Sequence, residues 1–127
     1  MAVVICDNKV LATVEDIYGR KVLSLSKGHV ESGETVLDAA IRECFEEADV
    51  TLNKQQAVKV LSPYSYSFTT PNGVEISKTI TPVLFRLSVE QSPHAKEKRI
   101  SEAKFMDIDE FLRQCCYDNV RKIFEQL

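Results

Sequence analysis

The stretch from Gly28 to Val50, which reads GHVESGETVLDAAIRECFEEADV, constrains this chain more than any other part of its sequence. Thr35 is followed three residues later by Asp38, which fits a capping box, so we predict a helix that begins near Thr35 or Val36. The apolar residues of this helix recur at helical spacing and are expected to form one buried stripe. They are Val36, Leu37, Ala40, Ile41, Cys44 and Ala48. The segment is therefore predicted to be a loop that leads into an amphipathic helix.

Three glutamates lie close together near the end of this helix. Glu43, Glu46 and Glu47 stand at positions i, i+3 and i+4, and a helix of about 3.6 residues per turn brings all three onto one face. Like charges at these spacings repel by a few tenths of a kcal/mol per pair. A divalent cation would offset the repulsion, and oxygen ligands suit Mg²⁺ or Mn²⁺. Clustering alone leaves a solvated acidic face as the more common explanation.

The spacing of the whole stretch resembles the signature of the Nudix hydrolases, a family that cleaves nucleoside diphosphates linked to another group. The matching residues are Gly28, Glu34, Arg42, Glu43, Cys44, Glu46, Glu47 and Val50. Asp49 departs from the pattern, because the family has a glycine there. A left-handed residue is expected at this helix end, and Asp adopts that conformation less readily than Gly. We expect the substitution to affect stability rather than chemistry.

The resemblance implies a metal site. Glu46 and Glu47 would be the principal ligands, joined by the main-chain carbonyl of Lys27. Glu43 would be either a further ligand or the base that activates water.

The resemblance also implies supporting residues. Gly28, Glu34 and Arg42 would be structural, with the Glu34–Arg42 pair bracing the loop against the helix. Many Nudix enzymes recruit one more carboxylate from outside the signature. Glu102 is slightly favoured for that role over Glu97, although a solvated surface position explains either residue as well.

The loop around Lys27 carries a narrower resemblance. SLSKGHVESGE is similar to the PKGHVEPGE version found in diadenosine polyphosphate and diphosphoinositol polyphosphate hydrolases, with Ser26 and Ser32 in place of the usual prolines. Lys78-Thr79-Ile80 is similar to the Lys-Thr-Val strand of the diadenosine enzymes. Lys27 and Lys78 are therefore candidates for phosphate binding. An ordinary loop lysine and an outward-facing strand lysine are equally good explanations.

Aromatic residues alternate along one predicted strand. Tyr64, Tyr66 and Phe68 share a face of it, because strand side chains alternate with a period of two. Tyr64 and Tyr66 could stack on a nucleobase. Packing within the protein is the more common fate of such a row.

The rest of the chain alternates between extended segments and turns. Asp7-Asn8, residues 17–20 and Pro71-Asn72-Gly73 are predicted turns, and the last of these indicates a hairpin. Extended segments are predicted at 2–6, 9–14, 22–25, 56–69, about 74–89 and 103–108. Pro82 is expected at an edge or bulge, and residues 90–101 as a mobile loop. A closing helix should begin at Asp109, with a break near residues 117–119.

This order of elements predicts an α+β domain, a mixed β-sheet between helices. The Nudix resemblance implies the α/β/α sandwich specifically, as a single domain over residues 1–127.

The composition bears on which classes of partner the protein could bind. A net charge of −3 from 16 basic and 19 acidic side chains gives no support for binding to nucleic acid or to a membrane. The first residues, MAVVICDNKVL, are predicted to be a strand and not a signal peptide. The four cysteines lack framework spacing, so we expect reduced thiols and a cytoplasmic location. Nothing in the sequence indicates the oligomeric state.

The leading hypothesis is an enzyme that hydrolyses a pyrophosphate bond with Mg²⁺ or Mn²⁺. Its substrate would be a small nucleotide or polyphosphate, in particular a dinucleoside polyphosphate. One alternative is a house-cleaning hydrolase of modified nucleoside triphosphates. Another is a Nudix domain that senses nucleotides without turnover, although such proteins usually lose acidic residues that this chain keeps.

Overall fold

The computed structural model describes all residues, 1–127. It contains eight strands, three α-helices and two short 3₁₀ helices at Lys54–Gln56 and Phe124–Gln126. The strands are β1 (Ala2–Cys6), β2 (Lys9–Ile17), β3 (Arg20–Ser24), β4 (Ala57–Val60), β5 (Tyr64–Thr69), β6 (Glu75–Ile80), β7 (Val83–Arg86) and β8 (Ile100–Asp107). The helices are α1 (Val36–Ala48), α2 (Ile108–Gln114) and α3 (Asp118–Ile123). None of these helices is both long enough and apolar enough to cross a membrane.

Six strands form one mixed sheet. β2 pairs with β8 along most of its length, and with β1 and β3 near its two ends. β1 runs parallel to β7, and β7 is antiparallel to β4 at the edge. The remaining strands, β5 and β6, form a separate two-stranded hairpin at the turn predicted from Pro71-Asn72-Gly73.

The central strand β1 is buried on both faces, as its continuous apolar sequence AVVIC requires. Ala2, Val4 and Cys6 pack against the apolar stripe of α1. Val3 and Ile5 point to the opposite face and belong to the core formed with α2 and α3. The sheet therefore lies between two helical layers, and the predicted α+β sandwich is confirmed.

Helix α1 begins and ends at the predicted residues. The Asp38 N–H donates to Thr35 Oγ1 (3.1 Å) and the Thr35 N–H donates to Asp38 Oδ2 (3.4 Å), which completes the capping box. Asp49 ends the helix in the left-handed conformation with φ 57°. The predicted conformation of this residue is confirmed.

Two long extended predictions are wrong, because the structure divides each of them. The segment 56–69 becomes β4 and β5, and the return strand 74–89 becomes β6 and β7. Each interruption contains a proline, Pro63 or Pro82, and proline cannot donate a hydrogen bond to a sheet. Pro82 thus lies between two strands and not at the edge or bulge predicted for it. β7 pairs with β1 in the main sheet.

The polar segment before β8 lies alongside the end of α1. The His94 N–H donates to the Ala48 carbonyl (2.9 Å) and the Lys96 N–H donates to the Glu47 carbonyl (3.3 Å). These two hydrogen bonds bring the segment at 94–99 beside the acidic part of α1. The predicted loop is confirmed, while its mobility stays a prediction. The closing helix breaks between α2 and α3, near the predicted position.

Candidate active site

Glu47 is the most deeply buried acid of α1, with 1% of its surface exposed. Oε1 accepts hydrogen bonds from the Ser26 hydroxyl (2.8 Å) and the Lys27 main-chain N–H (3.0 Å). Oε2 accepts one from Arg99 Nη2 (2.6 Å). The loop before α1 and the loop before β8 therefore meet at this carboxylate.

A cluster of three carboxylates surrounds this point. Oxygen atoms of Glu43, Glu47 and Glu97 all lie within 4.8 Å of one another. Glu43 is 9% exposed, and Glu97 arrives from the loop that is hydrogen-bonded to the end of α1. Carboxylate oxygens converging in this way are the donor set that Mg²⁺ and Mn²⁺ prefer. The residues present therefore fit a divalent cation.

The electrostatics of the cluster reflect its burial. Burial raises the pKa of Glu47 to about 7, while the Ser26 hydroxyl, the Arg99 guanidinium and the Lys27 N–H act in the opposite direction. Burial also raises the pKa of Glu43, against the lowering effect of Arg42. Two adjacent buried carboxyl groups are costly to ionise together unless positive charge is nearby.

Arg99 supplies part of that charge. Its guanidinium contacts Glu15, Glu47 (2.6 Å) and Glu97 (3.3 Å). Lys27 Nζ lies 3.3 Å from the other oxygen of Glu15. Neither Arg99 nor Glu15 was among the site residues predicted from the sequence. Arg99 is one of several charged residues in a polar loop, which gives it no local signal in the sequence. Glu15 follows the predicted strand at 9–14, and only the prediction of a longer strand would have placed Glu15 in the sheet.

Arg42 connects the loop before α1 to the helix. Its Nε and Nη2 donate to the two oxygens of Glu34 (2.7 and 3.0 Å), and Nη2 also donates to the His29 carbonyl (2.8 Å). Nη1 donates to Glu43 (2.6 Å) and Glu46 (3.2 Å). The bidentate contact with Arg42 lowers the pKa of Glu34. Arg42 therefore orients the acidic residues as well as the loop.

Gly28 packs directly against the acidic cluster. A Cβ atom added to this residue would overlap the carboxyl group of Glu43. Its backbone can therefore approach α1 closely only because it carries no side chain.

A cleft of about 1,090 Å³ adjoins the cluster. Glu15 and Lys27 line it, and they contact Arg99 and Glu47 of the site, respectively. Lys78 lines it on β6. Three aromatic rings of β5 form a row in the cleft, with centroids 6.2 Å apart for Tyr64 and Tyr66, and 6.1 Å for Tyr66 and Phe68. Further lining residues are Cys116 and Tyr117, from the connection between α2 and α3, and Asp118 and Asn119, from the start of α3.

Comparison with known families decides the identity of this domain. The family model described as "NUDIX domain" matches residues 1–127. This chain belongs to the Nudix family. Among curated proteins, it is 33% identical over 111 residues to the "Putative mutator protein MutT4" of Mycobacterium tuberculosis. The aligned residues cover 87% of this chain and 42% of that relative. The chain thus spans less than half the length of the curated relative that it matches.

Solved structures share the Nudix fold of this chain. The Escherichia coli dihydroneopterin triphosphate pyrophosphohydrolase has a TM-score of 0.77 at 19% identity, covering 100% of this chain and 91% of that one. A Caenorhabditis elegans Ap4A hydrolase has a TM-score of 0.74 at 18% identity, covering 98% and 90%. The Francisella tularensis bifunctional NMN adenylyltransferase/ADP ribose pyrophosphatase, complexed with AMP and a Mn ion, has a TM-score of 0.74 at 20% identity, covering 98% and 38%.

The predicted residues of the Nudix signature fall into two groups. Glu43 and Glu47 belong to the three-carboxylate cluster, whereas Glu46 is half exposed and contacts Arg42 instead. Glu102 is not part of the cluster, because its carboxylate is 52% exposed on β8 and lies 3.0 Å from Lys104 Nζ. The structure brings Glu97 to the signature helix, so the slight preference for Glu102 has no support in this geometry.

Proposed function

We propose that this Nudix domain hydrolyses a pyrophosphate bond in a nucleotide, with Mg²⁺ or Mn²⁺ as its cofactor. The observation that carries the proposal is the convergence of Glu43, Glu47 and Glu97. Arg99 links this cluster to Glu15, which lines a large cleft. Buried carboxyl groups so close together are unfavourable unless positive charge is nearby, and Arg42 and Arg99 supply part of that charge. The cleft provides room for a substrate beside them.

The proposed cation ligands are Glu43, Glu47 and Glu97. Glu46, expected from the Nudix signature, lies on the same helix as Glu43 and Glu47. The main-chain carbonyl of Lys27, also expected, belongs to the residue whose N–H donates to Glu47. A divalent cation held there supplies positive charge for the phosphate oxygens and makes water more acidic.

The two arginines that contact the cluster have proposed roles in orienting its carboxylates. Arg42 orients Glu43 and Glu46 through its Nη1 group. By the Nudix signature, Glu43 is either a cation ligand or the base that accepts a proton from the attacking water. Arg99 holds Glu47 and Glu97 on one guanidinium and so keeps the loop before β8 against α1.

The proposed substrate contacts lie along the cleft. Lys27 and Lys78 carry point charges for phosphate groups, and Tyr64 and Tyr66 offer aromatic faces to a base. Lys27, in the loop before α1 (the signature loop), and Lys78, on β6, line different parts of the cleft. An extended phosphate chain could contact both lysines. We therefore favour a dinucleoside polyphosphate, the class that the name of the C. elegans Ap4A hydrolase specifies for that protein.

A second substrate class rests on a different observation. The curated relative with 33% identity is named as a putative mutator protein. A house-cleaning hydrolase of modified nucleoside triphosphates would also use the acidic cluster, but it would not require Lys27 to bind additional phosphates.

A substrate panel with a matched pair of variants tests the proposal. Diadenosine polyphosphates, ordinary and oxidised nucleoside triphosphates and ADP-ribose are each incubated with Mg²⁺, Mn²⁺ or EDTA, and all products are quantified. We expect hydrolysis that requires the cation, and a loss of at least about 100-fold in Glu47→Gln. Glu75→Gln, which alters an exposed acid of β6, should behave as wild type.

Three results would contradict parts of the proposal. Full activity in Glu47→Gln would remove that residue from the metal site. Preferential cleavage of an oxidised triphosphate would replace the dinucleoside substrate with the second class. Tight nucleotide binding without hydrolysis of any substrate would indicate a sensor.

A further inference from the structure

Asp49, the residue that departs from the Nudix signature, makes contacts that a glycine could not make. It ends α1 in the left-handed conformation, and its carboxylate contacts the segment before β8 at two points. Oδ1 accepts a hydrogen bond from Lys96 Nζ (3.2 Å), and Oδ2 lies 3.5 Å from His94 Nδ1. The glycine of the signature has no side chain, so both contacts come from the departure. The proposed function does not yet explain this carboxylate.

Lys96 is held against α1 by more than this ion pair. Its Nζ lies 3.5 Å from the centre of the Phe45 ring, and an aromatic face attracts a cation. Phe45 precedes Asp49 by one turn of α1, so the ring and the carboxylate contact the same ammonium group. The main-chain N–H of Lys96 donates to the Glu47 carbonyl (3.3 Å). We call the contacts of Lys96 with Phe45 and Asp49 the lysine clasp.

The lysine clasp adjoins the one proposed cation ligand that α1 does not supply. Glu97 directly follows Lys96, and its carboxylate lies within 4.8 Å of those of Glu43 and Glu47. Its position depends on how firmly the loop before β8 is fastened to the helix. Arg99 fastens the loop after Glu97, through its contact with Glu47 (2.6 Å). The clasp fastens the same loop before Glu97.

We propose that Asp49 and Phe45 are positioning residues, which hold Lys96 so that Glu97 reaches the cation site. The proposal rests on the proposed function, because it takes Glu97 as a cation ligand. The apparent affinity for a cation falls in proportion to the fraction of molecules in which its ligands are assembled. Loosening the lysine clasp should therefore weaken cation binding, although neither positioning residue is a cation ligand.

Lys96→Gln is the decisive variant, because two explanations predict opposite results for it. The variant removes a positive charge near the site, and charge alone would make Mn²⁺ bind more tightly. Loss of the lysine clasp should instead weaken Mn²⁺ binding, measured by calorimetry, by about 3- to 10-fold. Lys98→Gln is the matched control, since Lys98 is an exposed lysine of the same loop outside the clasp. It should bind Mn²⁺ as tightly as wild type or slightly more tightly.

Two further variants show whether the effect passes through Glu97. Lys96→Arg keeps a cation that can stack on the Phe45 ring, so it should retain the Mn²⁺ affinity of wild type. In a Glu97→Gln background, Lys96→Gln should cause no further loss of affinity, because the ligand that the lysine clasp positions is already absent. A general weakening of the structure would lower the affinity equally in both backgrounds.

Amide hydrogen exchange in EDTA tests the lysine clasp without a cation. The N–H groups of His94 and Lys96 donate to the last two carbonyls of α1, so their exchange reports how often the segment leaves the helix. Asp49→Asn keeps a residue that tolerates the left-handed conformation. Both Asp49→Asn and Lys96→Gln should exchange these two protons about 3-fold faster than wild type, whereas Lys98→Gln should not.

Several results would overturn the positioning role alone. These are a wild type that binds Mn²⁺ with a Lys96→Gln variant that binds it equally or more tightly, an equal loss in the Glu97→Gln background, an equal loss in Lys96→Arg, and unchanged hydrogen exchange in Asp49→Asn and Lys96→Gln. A wild type that binds no Mn²⁺ would contradict the proposed metal site and the positioning of its ligand together. Faster hydrogen exchange in that case would still show that the lysine clasp holds the loop.

Discussion

At the scale of single residues, Glu47 combines two opposing influences. Burial disfavours its charged form and raises its pKa to about 7, yet three donors from Ser26, Lys27 and Arg99 point at its oxygens. These donors offset only part of the cost of burying the charged carboxylate, because the pKa is still raised. The negative charge of Glu47 can therefore be stabilised further by a cation. The same burial that makes Glu47 costly to ionise therefore makes it a suitable proposed ligand.

This balance predicts how stability depends on pH in the metal-free protein. Because the folded-state pKa of Glu47 lies near 7, above the ordinary value of 4.5, the folded state keeps a proton that the unfolded state releases. The stability contributed by that proton is complete below about pH 4.5 and is lost as the pH rises to about 7. The loss across this window should be on the order of a few kcal/mol.

Urea unfolding in EDTA between pH 4.5 and 7.5 measures the effect. The difference in unfolding free energy between wild type and Glu47→Gln should decrease as the pH rises, whereas the difference between wild type and Glu75→Gln should stay constant. A pH-independent difference for Glu47→Gln would contradict the raised pKa.

The sequence could predict only some of these residues. Glu43, Glu46 and Glu47 were recognisable because their spacing along one helix is local. Glu97 and Arg99 lie about fifty residues away in a polar loop, and their contacts with α1 depend on how that loop folds back.

At the scale of elements, the signature loop is shaped by its contact with α1. Arg42 bridges Glu34 and the His29 carbonyl to the helix, and Gly28 lies against the Glu43 carboxyl. The loop therefore sets the position of a proposed metal ligand. Local signals were sufficient for the helix itself, since the capping box and the left-handed Asp49 were both predictable. They were insufficient for β4 to β7, where Pro63 and Pro82 divide the strands.

Gly28→Ala tests this contact between loop and helix. The added Cβ would overlap the Glu43 carboxyl, and because that carboxyl is the end of a flexible side chain, it should move while the fold is kept. We expect a loss of about 1 kcal/mol in unfolding free energy and a loss of at least about 10-fold in Mn²⁺ affinity measured by calorimetry.

Gly73→Ala is the matched control for that variant. Gly73 has φ +82° and no atom within 4 Å of an added Cβ, so alanine should strain the hairpin turn without moving a carboxylate. Wild-type Mn²⁺ affinity in Gly28→Ala would show that the Glu43 carboxyl need not occupy its present position for metal binding.

At the scale of the whole molecule, the site is assembled from segments that are distant in sequence. β2 contributes Glu15, the signature loop Lys27, α1 Glu43 and Glu47, and the loop before β8 Glu97 and Arg99. The sheet holds these segments in place because β2 pairs with both β3 and β8. The alternation of elements was enough to predict an α+β sandwich. The strand order was not predictable, since the parallel pairing of β1 with β7 links residues about eighty positions apart.

The most direct test of the central claim is to locate manganese in crystals of the protein. Anomalous diffraction from crystals grown with Mn²⁺ should show a peak beside the carboxylate oxygens of Glu43 and Glu47, in contact with Glu97 or with Glu46. No such peak should appear in crystals of Glu47→Gln grown under the same conditions. Wild-type crystals saturated with Mn²⁺ that show no anomalous peak beside these carboxylates would contradict the claim that the acidic cluster is a metal site.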